Sequence, residues 1–193
     1  MLNDTALDTL FYAARTHNGW LDRPVSDAQL ALMFDLMKWA PTSINSSPAR
    51  IVFVKSAAQR EKLAACMAPG NAPKVLQAPV TAIIGMDMAF YEKLPQLAPH
   101  VDARSWFSGN KALADATAFR NSSLQGAYLI MAARAIGLDC GPMSGFDEEQ
   151  VNAAFFAGGT VRANFVCSLG YGDATKVRPR GPRFSFDEAC KIV

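Results

Sequence analysis

The sequence contains few of the side chains that bind transition metals or form disulfides. Its 193 residues include only two histidines, His17 and His100, and no H-E-x-x-H pattern, so a zinc hydrolase would lack its ligands. The four cysteines lie far apart and form no C-x-x-C pair: Cys66, Cys140, Cys167 and Cys190. We therefore expect no metal site, no structural zinc and no disulfide.

An excess of charge of one sign is also missing. The 19 basic residues are nearly balanced by 17 acidic ones, and a net charge of +2 does not favour nucleic acid or a membrane as a partner. The longest runs without a charge, 75–86 and 121–133, are shorter than the roughly 20 residues that span a bilayer. The segment 1–15 contains two aspartates and lacks the basic start and apolar centre of a secretory signal. We expect a cytoplasmic protein.

Three common catalytic or nucleotide-binding motifs are absent as well. Neither G-x-G-x-x-G nor G-x-x-x-x-G-K-S/T occurs, which argues against a Rossmann or P-loop site, and no G-x-S-x-G nucleophile elbow is present. Half of the residues are apolar and 19% are charged, as in folded domains with a packed core. At this length we expect one domain over 1–193.

Helical patterns are the most frequent signal in the sequence. Apolar spacing predicts a first helix over 4–15, and the capping box of Ser26 with Gln29 predicts a second that runs to about Trp39. Further helices are predicted after Ser56, at the start of 87–99, over 111–136 and from Asp147 to Phe156. The helix over 111–136 is the longest element, and its small residues permit close approach of another backbone or helix.

Short apolar and β-branched runs predict a few strands among these helices. The runs are 51–55, 79–85, a strand shortly before Gly141, and 161–170. The segment 99–110 follows two prolines and is expected to be less regular. The prediction is therefore a helix-rich protein with a few interspersed strands.

Basic residues occur near both ends of the chain and could hold an anionic cofactor. Arg15 follows the first predicted helix, and four cations lie close together near the C-terminus: Lys176, Arg178, Arg180 and Arg183. Arginine suits phosphate because its planar guanidinium donates two parallel hydrogen bonds. The alternative is an ordinary solvated surface.

Two loops could complete such a site. The segment 42–47 is dense in hydroxyls and amides, and Ser43 and Asn45 could reach a polyol chain or a ring edge, although Pro/Ser/Asn segments are often only turns. The segment 141–145, GPMSG, could bring backbone amides close to a flat ring. Its alternative is a simple turn between a strand and a helix.

These residues carry a family resemblance. The segment 40–50, APTSINSSPAR, resembles the A-P-S-x-x-N-x-Q-P loop of nitroreductases, and GPMSGF at 141–146 and LGYG at 169–172 follow at appropriate places. Over 10–190 the chain is similar to the malonic semialdehyde reductase branch of that family, which acts in pyrimidine degradation. The motifs of that branch are ARTHNGW at 14–20, DARSWF at 102–107, FRNSS at 119–123 and GPMSGFD at 141–147.

The resemblance implies a fold, an assembly and a cofactor. The fold would be α+β and nitroreductase-like, with a central mixed or antiparallel sheet flanked by helices. An intertwined homodimer would hold two FMN molecules at its interface and use NADH or NADPH in a ping-pong cycle. The implied FMN contacts are Arg15, His17, Ser43, Asn45, Asn71, Pro142, Met143, Ser144, Gly145, Arg180 and Arg183. Ser43 and Asn45 would come from the partner subunit, and Arg180 and Arg183 would take the phosphate.

One segment departs from the family pattern. Many nitroreductases begin with R-x-S-x-R or R-x-S-x-K, whereas here Arg15 is followed by T-H-N-G, which removes the serine and the second basic residue. His17 is a candidate substitute for one of them. Asn71, in the triplet GNA, is the candidate for a family asparagine near the flavin.

The resemblance implies reduction of malonic semialdehyde (3-oxopropanoate) to 3-hydroxypropanoate. A cation should hold the substrate carboxylate, and the candidates are Arg104 and Arg120, each of which could instead form a structural salt bridge. Trp106 and Phe107 could cover the flavin and exclude water, with core packing as the alternative.

Two other functions remain open at this point. A simple aldehyde needs a donor for its developing alkoxide, which the sequence does not identify, so a broad nitro or quinone reductase is the alternative enzyme. A flavin-binding module without catalysis is the alternative from a different class.

Overall fold

Four antiparallel strands form the centre of the protein. In the computed structural model, which describes residues 1–193, the strands are β1 (Ala49–Val54), β2 (Val80–Asp87), β3 (Asp139–Met143) and β4 (Val161–Gly170). Their order across the sheet is β1-β2-β4-β3, and every neighbouring pair is antiparallel. This confirms the expected α+β class and selects the antiparallel form of the sheet.

Helices cover both faces of this sheet. They are α1 (Asp4–Leu7), α2 (Asp27–Met37), α3 (Ala57–Ala65), α4 (Ala72–Gln77), α5 (Leu94–Leu97), α6 (Arg104–Ser108), α7 (Lys111–Ala135), α8 (Glu148–Phe155) and α9 (Phe186–Ala189). A π-helical turn, Asp8–Tyr12, extends α1, and 3₁₀ turns occupy Ser43–Asn45, Phe90–Lys93 and Ala174–Lys176.

The alternation of side chains along β2 explains why two layers of helices are needed. Ala82 and Ile84 point to the face that is covered by α2 and α7, where Leu129 of α7 is fully buried. Ile83 points to the opposite face, where it packs with Leu63 of α3. Successive residues of a strand face opposite sides of the sheet. A strand with apolar side chains on both sides must therefore be covered on both faces.

Local sequence signals produce the long helices as predicted. Ser26 and Gln29 form the capping box of α2, with backbone and side-chain bonds in both directions. The side chain of Asn110 accepts a hydrogen bond from the backbone of Leu113 at the start of α7. Gly137, at φ 79°, follows the end of that helix in the left-handed region, which glycine adopts without a steric penalty.

Three expectations about local structure were wrong, and one helix was not anticipated. The first helix does not reach Arg15, because helical structure ends at Tyr12. The segment expected to be irregular contains α6, and α4 was not expected at all. GPMSG does not form a loop after a strand, since Gly141 to Met143 belong to β3 itself.

A third group of buried side chains lies beside the sheet, where short helices pack on the start of α7. Phe90, Leu94, Phe107 and Ala118 belong to it, and the rings of Phe90 and Phe107 meet edge to face at 5.0 Å between centroids. Such aromatic pairs add attraction beyond the area that they bury. This packing orders a segment that has little regular structure of its own.

Two further properties concern membranes and thiols. None of the helices combines the length and the apolarity needed to cross a bilayer. All four cysteines are free thiols; Cys66, Cys140 and Cys167 are buried, and Cys190 is exposed.

Candidate active site

An open cleft between the N-terminal segment and the C-terminal tail is rich in positively charged side chains. The cleft has a volume of about 480 Å³. Its lining residues are Phe11, Ala14, Arg15, Thr16, Asn18, Arg134, Arg178, Pro179, Arg180, Gly181 and Arg183. We call this the arginine cleft. Five of its residues are arginines and none is acidic, so it attracts anions with no competing carboxylate.

Hydrogen bonds hold the C-terminal tail against the N-terminal segment. The guanidinium of Arg15 donates to the carbonyl oxygen of Arg178. Arg180 donates to the carbonyl oxygens of Tyr12, at 2.7 Å, and Ala14, at 3.2 Å. Arg183 donates only to carbonyls of its own turn. The structure therefore brings together Arg15, Arg180 and Arg183, as the resemblance implied.

Arg134 is the one arginine of the cleft that was not a candidate from the sequence. Arg134 lies in the last turn of α7 and donates to the carbonyl oxygen of Leu10 at 2.8 Å, while its Nε is buried without a partner. A cation at this position is favoured by the helix dipole, so its sequence signal is the same as that of an ordinary helix end. Only the tertiary structure shows that it faces the other arginines.

His17 lies at the edge of the same region, where it is buried and only partly satisfied. Its backbone N–H donates to the carbonyl oxygen of Cys140 at 2.9 Å, which joins this segment to the free edge of β3. Its Nε2 is 3.3 Å from a carboxylate oxygen of Asp139, and its Nδ1 is buried with no partner. The ring lies so close to Gly172 that an added Cβ there would be 1.9 Å from Nδ1. Nδ1 is therefore enclosed against Gly172, with no space for a ligand atom between them.

The edge strand β3 presents backbone and small side chains next to this region. Pro142 and Ser144 are exposed, whereas the side chain of Met143 is buried in the core between them, as strand alternation requires. The implied contact of Met143 with a ligand is therefore limited to its backbone. At the far end, Asn71 donates to the carbonyl oxygen of Gly145 at 3.1 Å, and a Cβ on that glycine would lie 2.7 Å from the same amide. The structure thus brings Asn71 and Gly145 together.

The loop with Ser43 and Asn45 lies elsewhere in the subunit. The backbone N–H of Ser43 donates to the side chain of Asn121 in α7 at 2.8 Å, and the amide of Asn45 donates to the carbonyl oxygen of Leu97 at 2.9 Å. About 13 residues of helix separate Asn121 from Arg134, and at about 1.5 Å per residue this is roughly 20 Å. One subunit therefore does not bring this loop together with the arginine cleft.

The candidate substrate contacts have different surroundings from one another. Arg104 makes two hydrogen bonds with Glu92, at 2.7 and 2.9 Å, so it forms the salt bridge that was its alternative role. These hydrogen bonds lower the pKa of the Glu92 carboxyl. Arg120 is exposed on α7 and has no carboxylate partner.

The two candidate lid residues also differ, because one is buried and the other is exposed. Phe107 is only 5% exposed and packs on Phe90 in the core, which contradicts a covering role for its ring. Trp106 is 51% exposed, and its indole remains available to cover a neighbouring surface.

Comparison with known proteins gives matches over nearly the whole chain. The description "Nitroreductase family" matches residues 14–172. A Polynucleobacter asymbioticus protein with the provisional name NADH dehydrogenase/NAD(P)H nitroreductase is 64% identical over 193 residues, which cover 100% of this chain and 98% of that protein. A Burkholderia lata protein of the same provisional name is 61% identical over 191 residues, covering 99% and 98%.

A solved structure shares the fold at low sequence identity. It is that of an Exiguobacterium sibiricum protein, assigned as a nitroreductase, in complex with FMN. The TM-score is 0.85 at 17% identity, and the match covers 100% of this chain and 99% of that chain. At this identity the similarity establishes the fold.

Proposed function

This chain belongs to the nitroreductase family of FMN-dependent NAD(P)H oxidoreductases, and from that premise we propose that it reduces malonic semialdehyde to 3-hydroxypropanoate. The observation that carries the flavin part of this proposal is the arginine cleft, whose five arginines and lack of acidic residues suit a phosphate. The proposed cycle takes a hydride from NADH or NADPH and gives it to the aldehyde carbon.

The residues of this chain fit FMN at both of its chemically distinct ends. Arg15, Arg180 and Arg183 would hold the phosphate, since guanidinium groups donate to it in pairs. Thr16 and Asn18 line the cleft, and Thr16 pairs with the edge strand β3, so the ring system would follow along that edge towards the exposed Pro142 and Ser144. Bound FMN supplies the hydride transfer, so no catalytic triad is needed from the protein.

A homodimer would bring the remaining contacts to this site. Within one subunit the Ser43 loop is roughly 20 Å along α7 from the arginine cleft, a separation longer than the ribityl chain that joins the phosphate of FMN to its ring. A second copy can supply the loop if α7 lies at the interface. In support, α7 presents an exposed apolar surface between its polar residues, with Phe119, Leu124 and Tyr128 all more than 40% exposed.

The C-terminal segment supports the same assembly. Phe184, Phe186, Ile192 and Val193 are at least 60% exposed, although they are large apolar side chains. A tail of this composition is expected to be covered in the functional state. We propose that it packs on the partner subunit.

Arg120 is the residue that we propose for the substrate carboxylate. It is exposed, it has no carboxylate partner, and it is adjacent in α7 to Asn121, which holds the Ser43 loop. Arg104 is occupied by Glu92. Trp106 could shield the reacting aldehyde from water, because its ring is half exposed and lies two residues after Arg104 in α6.

A broad nitro or quinone reductase is the second candidate. The names of the two bacterial relatives, which include NAD(P)H nitroreductase, favour it. Nitro groups and quinones accept a hydride without a dedicated donor, whereas an aldehyde needs its developing alkoxide stabilised. A flavin-binding module that does not turn over is the third.

One anaerobic spectroscopic experiment separates these functions. The purified protein is loaded with FMN, reduced with NADH or NADPH, and then mixed with malonic semialdehyde. Flavin absorption that bleaches with the nicotinamide and returns with the aldehyde supports the proposal. Return only with nitroaromatics or quinones selects the second candidate, and the absence of bleaching selects the third. A protein that binds no FMN contradicts all three.

A further inference from the structure

We infer that Asn121 and Gln125 of α7 are positioning residues that hold the loop 43–49 in a strained conformation for the flavin site. The inference rests on the proposed function, since it concerns how one part of that site is shaped. Both residues are internal to a helix and almost completely buried, with exposures of 1% and 4%. Neither touches the arginine cleft.

The loop has a conformation that its own sequence does not favour. Three of its residues have positive φ although none is glycine: Ile44 at 50°, Asn45 at 53° and Ser47 at 38°. The left-handed region brings Cβ of an L-residue close to its own backbone, and a β-branched residue such as Ile44 is among the least tolerant. Strain of this kind persists only where surrounding contacts impose it.

Asn121 fixes the start of the loop. Its Oδ1 accepts a hydrogen bond from the backbone N–H of Ser43 at 2.8 Å, and its Nδ2 donates to the carbonyl oxygen of Thr117 at 2.8 Å. The second bond, to the preceding turn of the same helix, sets the orientation of the amide. The acceptor oxygen is therefore held in one direction, towards Ser43.

Gln125 fixes the end of the loop, one helical turn further along. Its Oε1 accepts a hydrogen bond from the backbone N–H of Ala49 at 2.9 Å. Residues four apart lie on the same face of a helix, so the two amides present a pair of acceptors to the two ends of one loop. The distance between those ends is then set by the helix.

Arg50, in strand β1, makes a third contact with the strained part of the loop. The guanidinium of Arg50 donates to the carbonyl oxygen of Ser47 at 3.0 Å and to a carboxylate oxygen of Asp87 at 2.9 Å. Asp87 also accepts from the hydroxyl of Thr160 at 2.7 Å. These bonds support the loop but do not reach its first residues, where Ser43 and Asn45 are exposed. The backbone of Ser43 is held by α7, whereas the side chain of Asn45 is also held by the carbonyl oxygen of Leu97.

The test compares isosteric variants of the helix residues with a control on the same helix. Gln125→Met and Asn121→Leu retain side-chain volume and remove the acceptor, whereas Gln125→Glu retains an acceptor oxygen. Ser122→Ala is the matched control, because Ser122 is fully buried between the two amides but bonds to Phe119 and Asn164 instead of the loop. Each variant is measured without cofactor by amide hydrogen exchange and with cofactor by FMN titration.

Loss of either acceptor leaves a partly buried backbone N–H of the loop unsatisfied, which favours other loop conformations and lowers the fraction of molecules that are competent to bind the cofactor. We expect the amides of 43–49 to exchange about five- to 150-fold faster in Gln125→Met and Asn121→Leu, and the Kd for FMN to rise as the competent fraction falls. Gln125→Glu should restore most of both properties, and Ser122→Ala should change neither. The two isosteric variants act at opposite ends of the loop, so the test can be made with either one if the other fails to fold.

Three outcomes would overturn the inference. Unchanged exchange of the Ser43 and Ala49 amides in the folded variants would mean that the helix does not hold the loop. An unchanged Kd for FMN in a variant whose loop amides have lost all protection would mean that the loop is held but is not part of the site. A wild-type protein that does not bind FMN at micromolar concentration would reject the proposed function itself, before any variant is compared.

Discussion

Replacing Arg183 with alanine tests the arginine cleft with little disturbance of the fold. The guanidinium of this residue is exposed and donates only to the carbonyl oxygens of Gly181, at 3.0 Å, and Pro182, at 2.8 Å. Arg15 and Arg180, in contrast, bond to segments distant in the chain. A loss of binding in Arg183→Ala therefore reports on the ligand more directly than the same change at the other two positions.

The expected size follows from the kind of bond that is removed. A hydrogen bond to a charged group contributes about 1.5–3 kcal/mol, and exposure to solvent puts this case near the lower limit. Since about 1.4 kcal/mol corresponds to a factor of ten, the Kd for FMN should rise roughly tenfold. Riboflavin has the same ring and polyol chain but no phosphate, so its Kd should be unchanged.

The assay is the quenching of flavin fluorescence on binding, titrated with FMN and with riboflavin at two salt concentrations. Arg162→Ala is the control, because Arg162 is an exposed arginine at the start of β4 and lies outside the cleft. Added salt should weaken FMN binding in the wild type more than in Arg183→Ala, since fewer charges remain to be screened. Equal weakening of FMN and riboflavin, or an effect as large in Arg162→Ala, would refute the assignment of the cleft to the phosphate.

Other consequences can be measured on the same protein. Arg120→Ala should raise KM for malonic semialdehyde about tenfold and leave KM for a quinone unchanged, whereas equal changes would contradict a carboxylate contact. In a thiol titration of the native protein only Cys190 should react, and all four cysteines should react after unfolding, because the other three are buried. Glu92, whose pKa is lowered mainly by its hydrogen bonds with Arg104, should stabilise the fold above the ordinary carboxyl pKa and lose this contribution as the pH falls through the lowered value. The difference in urea midpoint between wild type and Glu92→Gln should accordingly vanish in acid, and a constant difference would argue against the ion pair as its cause.

Elements with strong local signals could be predicted from the sequence. The helix α2 begins at a capping box, and α7 combines a long helical pattern with Gly137 at its end. The short helices α4 and α6 have no side-chain cap, and α6 is ordered by packing of Phe107 against residues distant in the chain. Local propensity carries no information on such contacts, and both helices were missed or misassigned for that reason.

Some residues of the candidate site could likewise be predicted from the sequence, and others could not. Arg180 and Arg183 form a cluster in the sequence, so their common role could be proposed without a structure. Arg134 is a single cation at a helix end, and only its position opposite Arg15 makes it notable. The positive φ of Ile44 runs against what its side chain favours, so a sequence argument would predict an extended residue there. Strain of this kind is a property of the surroundings and not of the segment.

The uninterrupted course of α7 also restricts how this protein can diverge. The stretch from Asn121 to Arg134 joins the support of the Ser43 loop to the arginine cleft within a single helix. One inserted residue would rotate the two ends by about 100° relative to each other, and even two full added turns would separate them by roughly 10 Å more. Substitutions that preserve packing can accumulate in this stretch, but its length cannot change while both ends keep their roles. Insertions and deletions among relatives should instead fall in exposed turns such as 157–159.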